Sequence, residues 1–231
     1  VPLSDAQAER LCYFLGMEQV RLEQNNSDEI IATAASIVKD GGVIAFPTDT
    51  FYGLGCDPFN VSAIEKIFSI KQRRSDMPLL LLIDTIETAE RLSHELPENF
   101  RRLAEACWPG PLTIVVPAID KLPESLTART GTIGVRLPGA EFPRKLAAQC
   151  GGAITATSAN LSGQSNPLTA DDVFSQLGDG PNLIIDGGKC DPIPSTVVNL
   201  CTVPPRILRV GGTSVDTLHS LMPDFVVDAN R

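Results

Sequence analysis

Val43-Ile-Ala-Phe-Pro-Thr-Asp-Thr-Phe-Tyr-Gly-Leu-Gly55 decides the fold. Its first four residues, Val43 to Phe46, are all apolar, which suits a strand covered on both faces of a sheet. Pro47 then ends the ladder, because proline has no amide hydrogen to donate. Thr48, Asp49 and Thr50 follow at the strand's carboxyl end, the edge at which open α/β sheets bind ligands. Taken alone, the segment reads first as an ordinary strand-to-turn exit, since hydroxyls and Asp are standard turn residues. Partners elsewhere in the chain decide between the two readings.

Outward from this strand, helical and extended patterns alternate. On the amino-terminal side, residues 4–16 suggest a short helix, and Gln24, Asn25 and Asn26 a polar connector. Residues 1–26 are read as an extension and 27–231 as a single domain. A helix is expected from Ser27, taken as its N-cap with Asp28 and Glu29 in the first turn, to Gly41-Gly42. On the other side, Val61, Ile64, Ile67 and Phe68 recur at helical spacing up to a cluster of Lys66, Lys71, Arg73 and Arg74. Strands are expected over 78–83, 112–116, 132–137 and 153–157, and helices over 85–93, 97–107 and 141–150. The strand at 153–157 empties into Ser158-Ala-Asn-Leu-Ser-Gly163. Thr169 caps a further helix, and one more covers 214–221. Strands near 183–185, 196–200 and 206–210 have few helices between them. The fold class is therefore α/β of the α+β type, with a mixed rather than purely parallel sheet.

Composition excludes several functions. The 231 residues carry a net charge of −9, which argues against broad, nonspecific nucleic-acid binding; any polyanion must be bound locally. The longest apolar run is Leu79 to Ile83, far short of a membrane span, and the amino terminus lacks the basic-then-apolar order of a signal peptide. The chain is expected to be soluble and cytoplasmic, with no membrane partner. Its six cysteines form no Cys-x-x-Cys pair, so they are expected to be reduced and mostly buried. With two histidines, His94 and His219, a histidine triad or a two-histidine metal site has little to stand on, and no protein metal site is expected.

Three groups carry chemistry. Lys71-Gln72-Arg73 puts two cations one residue apart at a helix end, where both can turn toward a phosphate; the plainer reading is that they complement the helix C-terminus. Ser158-Ala-Asn160 follows an apolar strand as Thr48 to Thr50 does, which implies one shared edge. Its hydroxyl and amide can serve a phosphate or ribose, or simply hold a turn. Arg136, in Gly134-Val-Arg-Leu-Pro138, is a guanidinium within an apolar strand and requires an anionic partner, from the protein or from a ligand. No Walker A loop or Gly-x-Gly-x-x-Gly is present, so a nucleotide needs another cradle.

Taken in order, Phe46-Pro-Thr-Asp-Thr-Phe-Tyr-Gly-Leu54, Lys71-x-Arg73, Pro78-Leu79, Trp108-Pro-Gly-Pro-Leu-Thr113, Val135-Arg136, Ser158-Ala-Asn-Leu-Ser-Gly163, Asp186-Gly-Gly188 and Ser195-Thr-Val197 resemble the YrdC-like family. The match runs from about residue 27 to 212. The resemblance implies an open twisted mixed sheet flanked by helices, with a concave ligand cleft. It also implies a single-domain threonylcarbamoyl-AMP synthase, joining L-threonine, bicarbonate and ATP into threonylcarbamoyladenylate and pyrophosphate. That product serves the tRNA adenosine next to the anticodon, through tRNA-modifying partner proteins. By the same resemblance, Thr50, Arg136, Ala156 and Ser195 bind threonine, Arg136 through its carboxylate. Lys71, Arg73, Ser158 and Asn160 form the catalytic constellation around the nucleotide, with Thr132, Asn166 and Arg209 as further nucleotide contacts. Mg²⁺ enters through the ATP phosphates.

Two positions depart from the family pattern: Met77 stands where Asn or Lys is frequent, and Leu82 where some relatives place histidine. Asp49 has no role assigned to it. Longer relatives carry a further C-terminal domain, which this chain is expected to lack. Two alternatives remain, an RNA-binding protein for tRNA, double-stranded RNA or ribosome assembly, and a paralogue acting on another carbamoyl or nucleotide substrate.

Overall fold

A computed structural model describes residues 18–74 and 77–228. Along the chain lie β1 (Glu18–Arg21), α1 (Ser27–Lys39), β2 (Ile44–Phe46), β3 (Gly53–Gly55), α2 (Val61–Ile70), β4 (Leu80–Ile83), α3 (Ile86–Leu92) and α4 (Phe100–Cys107). They are followed by β5 (Leu112–Pro117), α5 (Glu124–Thr127), β6 (Thr132–Arg136), α6 (Glu141–Gln149), β7 (Ala153–Ser158) and α7 (Ala170–Leu177). The last elements are β8 (Leu183–Asp186), β9 (Thr196–Asn199), β10 (Arg206–Arg209), α8 (Val215–Leu221) and β11 (Val226–Val227).

The strands join in the order β1-β8-β2-β3-β7-β4-β6-β5-β9-β10-β11. Parallel pairs (β1/β8, β8/β2, β4/β6, β5/β9, β10/β11) mix with antiparallel ones, as the shortage of helices late in the chain predicts. Because β3 is antiparallel to both β2 and β7, those two strands run the same way. The Thr48–Thr50 and Ser158–Asn160 loops therefore leave the sheet at one edge.

Period-two alternation decides what each face meets. Leu81 and Ile83 of β4, Ile114 and Val116 of β5, and Ile133 and Val135 of β6 all enter a large core with α2, α3, α4, α7 and α8. A smaller core on the other face holds Ile44, Phe46, Leu82, Ile154 and Leu183 under α1 and α6. Along β5, β6 and β9 no helix among the described residues lies over that second face. Thr113, Val115, Gly134, Arg136 and Val197 instead form the floor of a cavity.

Besides α5 and β11, which the sequence reading did not foresee, four features differ from it. Part of the segment read as an extension supplies β1, which extends the sheet beside β8. Asn26, not Ser27, occupies the N-cap of α1, and it makes no side-chain cap bond. Its amide instead closes the turn after β1, accepting from Glu23 N (2.7 Å) and donating to Arg21 O (2.9 Å). Gly53–Gly55 is a strand rather than loop, since two glycines let it lie between β2 and β7: a Cβ on Gly55 would sit 2.5 Å from Thr155 O. Among the described cysteines, Cys56 alone is buried; Cys107, Cys150 and Cys190 are half-buried and Cys201 is exposed, all five as free thiols. The helix expected at 4–16 lies outside the described residues. Thr169 does cap α7, in a reciprocal capping box with Asp172.

Candidate active site

The cavity on the open sheet face measures about 460 Å³, within the size range of small-molecule sites. Lys71, Arg73, Arg136 and Arg209 line it, and among the described residues no carboxylate does. Ser158 and Asn160 bond Lys71 within this lining, Thr50 bonds Arg136 and Ser195 bonds Arg209, and Ala156 and Asn166 complete it. Of the residues that the family resemblance assigns to ligands, Thr132 alone lies beyond the lining. It stands on the same strand face as Gly134 and Arg136, but further up β6, where its hydroxyl pairs with Thr130 (2.9 Å).

The end of α2 aims its two cations. Gln72 adopts a left-handed backbone (φ 49°), and Arg73 N closes back on Phe68 O (2.9 Å). This reversal brings Arg73 back beside Lys71 rather than a turn further on. Arg73 donates to Thr157 Oγ1 (3.0 Å) and to the carbonyls of Met77 and Pro78. Lys71 is 2% exposed, and its ammonium meets Asn160 O (2.8 Å), Asn160 Oδ1 (3.0 Å) and Ser158 O. It thus ties α2 to the Ser158–Asn160 loop as well as carrying charge. Burial, reinforced by the charge of Arg73, pushes its pKa down to about 7, while the three carbonyl acceptors favour the charged form. In the same loop Ser158 Oγ donates to Asn160 Oδ1 (2.6 Å), and Asn160 Nδ2 to Gln164 O (2.7 Å).

At the other end, Arg136 is 3% exposed and held at all three nitrogens. Nε donates to Gly110 O (3.1 Å), in the Trp108-Pro-Gly-Pro turn, and Nη1 to Thr50 Oγ1 (3.2 Å). Nη2 lies 2.5 Å from Asp49 Oδ1, an ion pair whose angles fall outside hydrogen-bond geometry and leave both atoms without a hydrogen-bond partner. Burial lowers the pKa of Arg136, and Asp49 opposes that shift. Arg209 folds back on the next strand, Nε and Nη2 donating to Ser195 O (3.1 and 2.9 Å). Ser195 Oγ accepts a further bond from Arg209 and pairs with Thr113 Oγ1 (2.9 Å).

Asp49 and Thr113 are the residues that sequence reasoning missed. For Asp49 the signal existed: Arg136 demanded an anionic partner, and the hydroxyl loop contains one carboxylate. Thr113 was legible only as the one hydroxyl among the apolar residues of β5. The two departures from the family pattern, Met77 and Leu82, both line the cavity.

A mixed sheet whose uncovered face carries a cationic cleft, with a hydroxyl-rich loop folded against it, is an α/β scaffold for an anionic ligand. The chain belongs to the Sua5_yciO_yrdC family, whose model, described as "Telomere recombination", matches residues 36–211. The threonylcarbamoyl-AMP synthase of Pyrococcus abyssi is 37% identical over 196 residues, 84% of this chain and 58% of that protein. The threonylcarbamoyl-AMP synthase of Bacillus subtilis is 36% identical over 208 residues, 89% of this chain and 60% of that protein. The crystal structure of P. abyssi Sua5 complexed with L-threonine superimposes with a TM-score of 0.86 at 35% identity, covering 92% of this chain and 62% of that one. The chain thus spans about three fifths of the length of these relatives.

Proposed function

We propose that the chain is a threonylcarbamoyladenylate synthase, condensing L-threonine, bicarbonate and ATP to threonylcarbamoyl-AMP and pyrophosphate. The observation that carries this reading is a cleft lined, among the described residues, by four cations and no carboxylate in a chain of net charge −9. Such a cleft suits a triphosphate at one end and an amino-acid carboxylate at the other. The names of the relatives and the L-threonine complex of P. abyssi Sua5 support the same assignment. The product is the donor for threonylcarbamoylation of the tRNA adenosine beside the anticodon, through partner proteins that consume it.

The reaction needs no protein nucleophile. The threonine amine takes up bicarbonate, losing water, to give a carbamate. A carbamate oxygen then attacks the α-phosphorus of ATP, and the bond to the bridging oxygen of pyrophosphate breaks. Reactions of this kind are accelerated mainly by positioning and charge neutralisation. Arg136 and Thr50 hold the threonine carboxylate and, with Ala156 and Ser195, orient the amine. Lys71 and Arg73 neutralise phosphate charge, Ser158, Asn160 and Asn166 contact the nucleotide, and Arg209 reaches it from the opposite wall. The cavity's neutral oxygen donors are hydroxyls and amides, a set that fits Mg²⁺ carried by the ATP phosphates rather than caged by the protein. When bound, the ion supplies charge neutralisation at those phosphates.

Mass spectrometry of the product, after mixing the protein with ATP, Mg²⁺, bicarbonate and each amino acid in turn, tests the reading. Threonylcarbamoyladenylate is expected with L-threonine, and its absence overturns the assignment. Arg136→Ala is expected to reduce threonine-dependent pyrophosphate release at least a hundredfold; undiminished release sinks the carboxylate role.

A further inference from the structure

Arg136 lines the cavity, as do Thr48 and Thr50, but Asp49 between them does not. The bend at residues 49–51, closed by Thr48 Oγ1, leaves the two threonines in the lining and sets the carboxylate outside it, against the guanidinium. Asp49 is anchored there independently of Arg136, since Oδ2 accepts from Gly139 N at 2.9 Å. A Cβ on Gly139 would lie 2.9 Å from that same oxygen, so a glycine is what lets the backbone come so close. Oδ1 is left against Nη2 at 2.5 Å without hydrogen-bond alignment, and both atoms are buried. The guanidinium is oriented by Gly110 O and Thr50 Oγ1 as well, so Asp49 supplies charge more than direction.

We propose that Asp49 sets how tightly Arg136 holds a ligand carboxylate, acting as a charge-balancing residue behind the binding surface. This rests on the proposed function, in which that carboxylate belongs to L-threonine. With Asp49 in place the guanidinium is already neutralised, and an incoming carboxylate shares it with a like charge a few ångström behind. At an effective dielectric well below that of water, such repulsion weakens binding on the order of tenfold. The arrangement keeps an almost fully buried arginine folded when the site is empty, and it keeps the amino acid from binding so tightly that turnover suffers. A residue that merely propped up the site would have the opposite effect when altered, because its loss would loosen Arg136 and weaken binding.

Calorimetry of L-threonine against the wild type, Asp49→Asn and Asp49→Ser decides the sign. Asparagine keeps an oxygen for Gly139 N and removes the charge. L-Threoninamide, which lacks the carboxylate charge, serves as the reference ligand. L-Threonine is expected to bind both variants about tenfold more tightly than the wild type, while the response to L-threoninamide stays unchanged. Equal or weaker binding of L-threonine by folded variants overturns the inference. The wild type offers an independent reading should the variants fail to fold: the ¹³C carboxyl resonance of Asp49 is expected to shift on saturation with L-threonine, and a resonance that does not move also overturns it. A wild type that binds no L-threonine refutes the proposed function instead.

Discussion

Lys71 combines two demands that conflict as pH changes. Its folded pKa is depressed to about 7, against ~10.4 for an unperturbed lysine. Between those values the unfolded chain holds more protons than the folded one, so this residue's contribution makes stability rise with pH across that window. Below about 7 both states are charged and the contribution no longer changes. Anion binding runs the other way, since the cleft loses a positive charge as pH climbs through the folded pKa. Nucleotide affinity, measured by calorimetry between pH 6 and 9, is therefore expected to fall in the wild type relative to Lys71→Arg, while the wild-type melting temperature gains on the variant. Superimposable profiles would show that Lys71 does not titrate there. Arg136 was legible as a residue needing an anion, because an apolar strand offers a guanidinium no solvent. Asp49 was legible only as a candidate partner, the one carboxylate of the hydroxyl loop, and the structure decided the pairing because it joins residues far apart in the chain.

Among the elements, β9 and β10 are positioned by glycines and hydroxyls that pattern reasoning passes over. Thr196 Oγ1 donates to Thr213 O (2.6 Å) and accepts from Gly211 N (2.8 Å) and Thr213 N (3.1 Å), clamping the segment after β10 onto the start of β9. A Cβ on Gly211 would stand 2.2 Å from Pro194 O and 2.6 Å from the carbonyl carbon of Ser195. Gly211→Ala must therefore push Ser195 and Arg209 out of place. We expect it to raise the KM for L-threonine by tenfold or more and to lower stability by about 1–3 kcal/mol, read from steady-state kinetics and urea unfolding. An unchanged KM in a folded variant would separate this clamp from the site. Most helices were legible from apolar spacing and caps, Thr169 being the clearest. β1 and β3 were not: four residues of mixed polarity and three residues with two glycines become strands only because β8, β2 and β7 lie alongside to pair with them.

Across the whole molecule, charge is segregated: a net −9 surrounds a cleft lined by four cations. Among the described residues, no helix is long and apolar enough to cross a membrane. An acidic exterior repels long polyanions while the cleft admits short ones. Double-stranded RNA is therefore expected to give no gel shift that persists at 200 mM salt, whereas ATP binding, confined to the cavity, survives there. A shift that persists at that salt would favour the RNA-binding alternative. By itself the sequence determined the class of sheet, most of its helices, the family, and the motifs that meet at the cleft, because periodicity, turn chemistry and short motifs are local in the chain. Only the tertiary structure decided that the site lies on an uncovered face of β5, β6 and β9, that Lys71 clamps a loop, that Thr132 stands outside the lining, and that Asp49 backs Arg136. Those facts depend on which side of a strand each residue faces and on what distant strand lies next to it, and register and twist settle that only once the sheet has assembled.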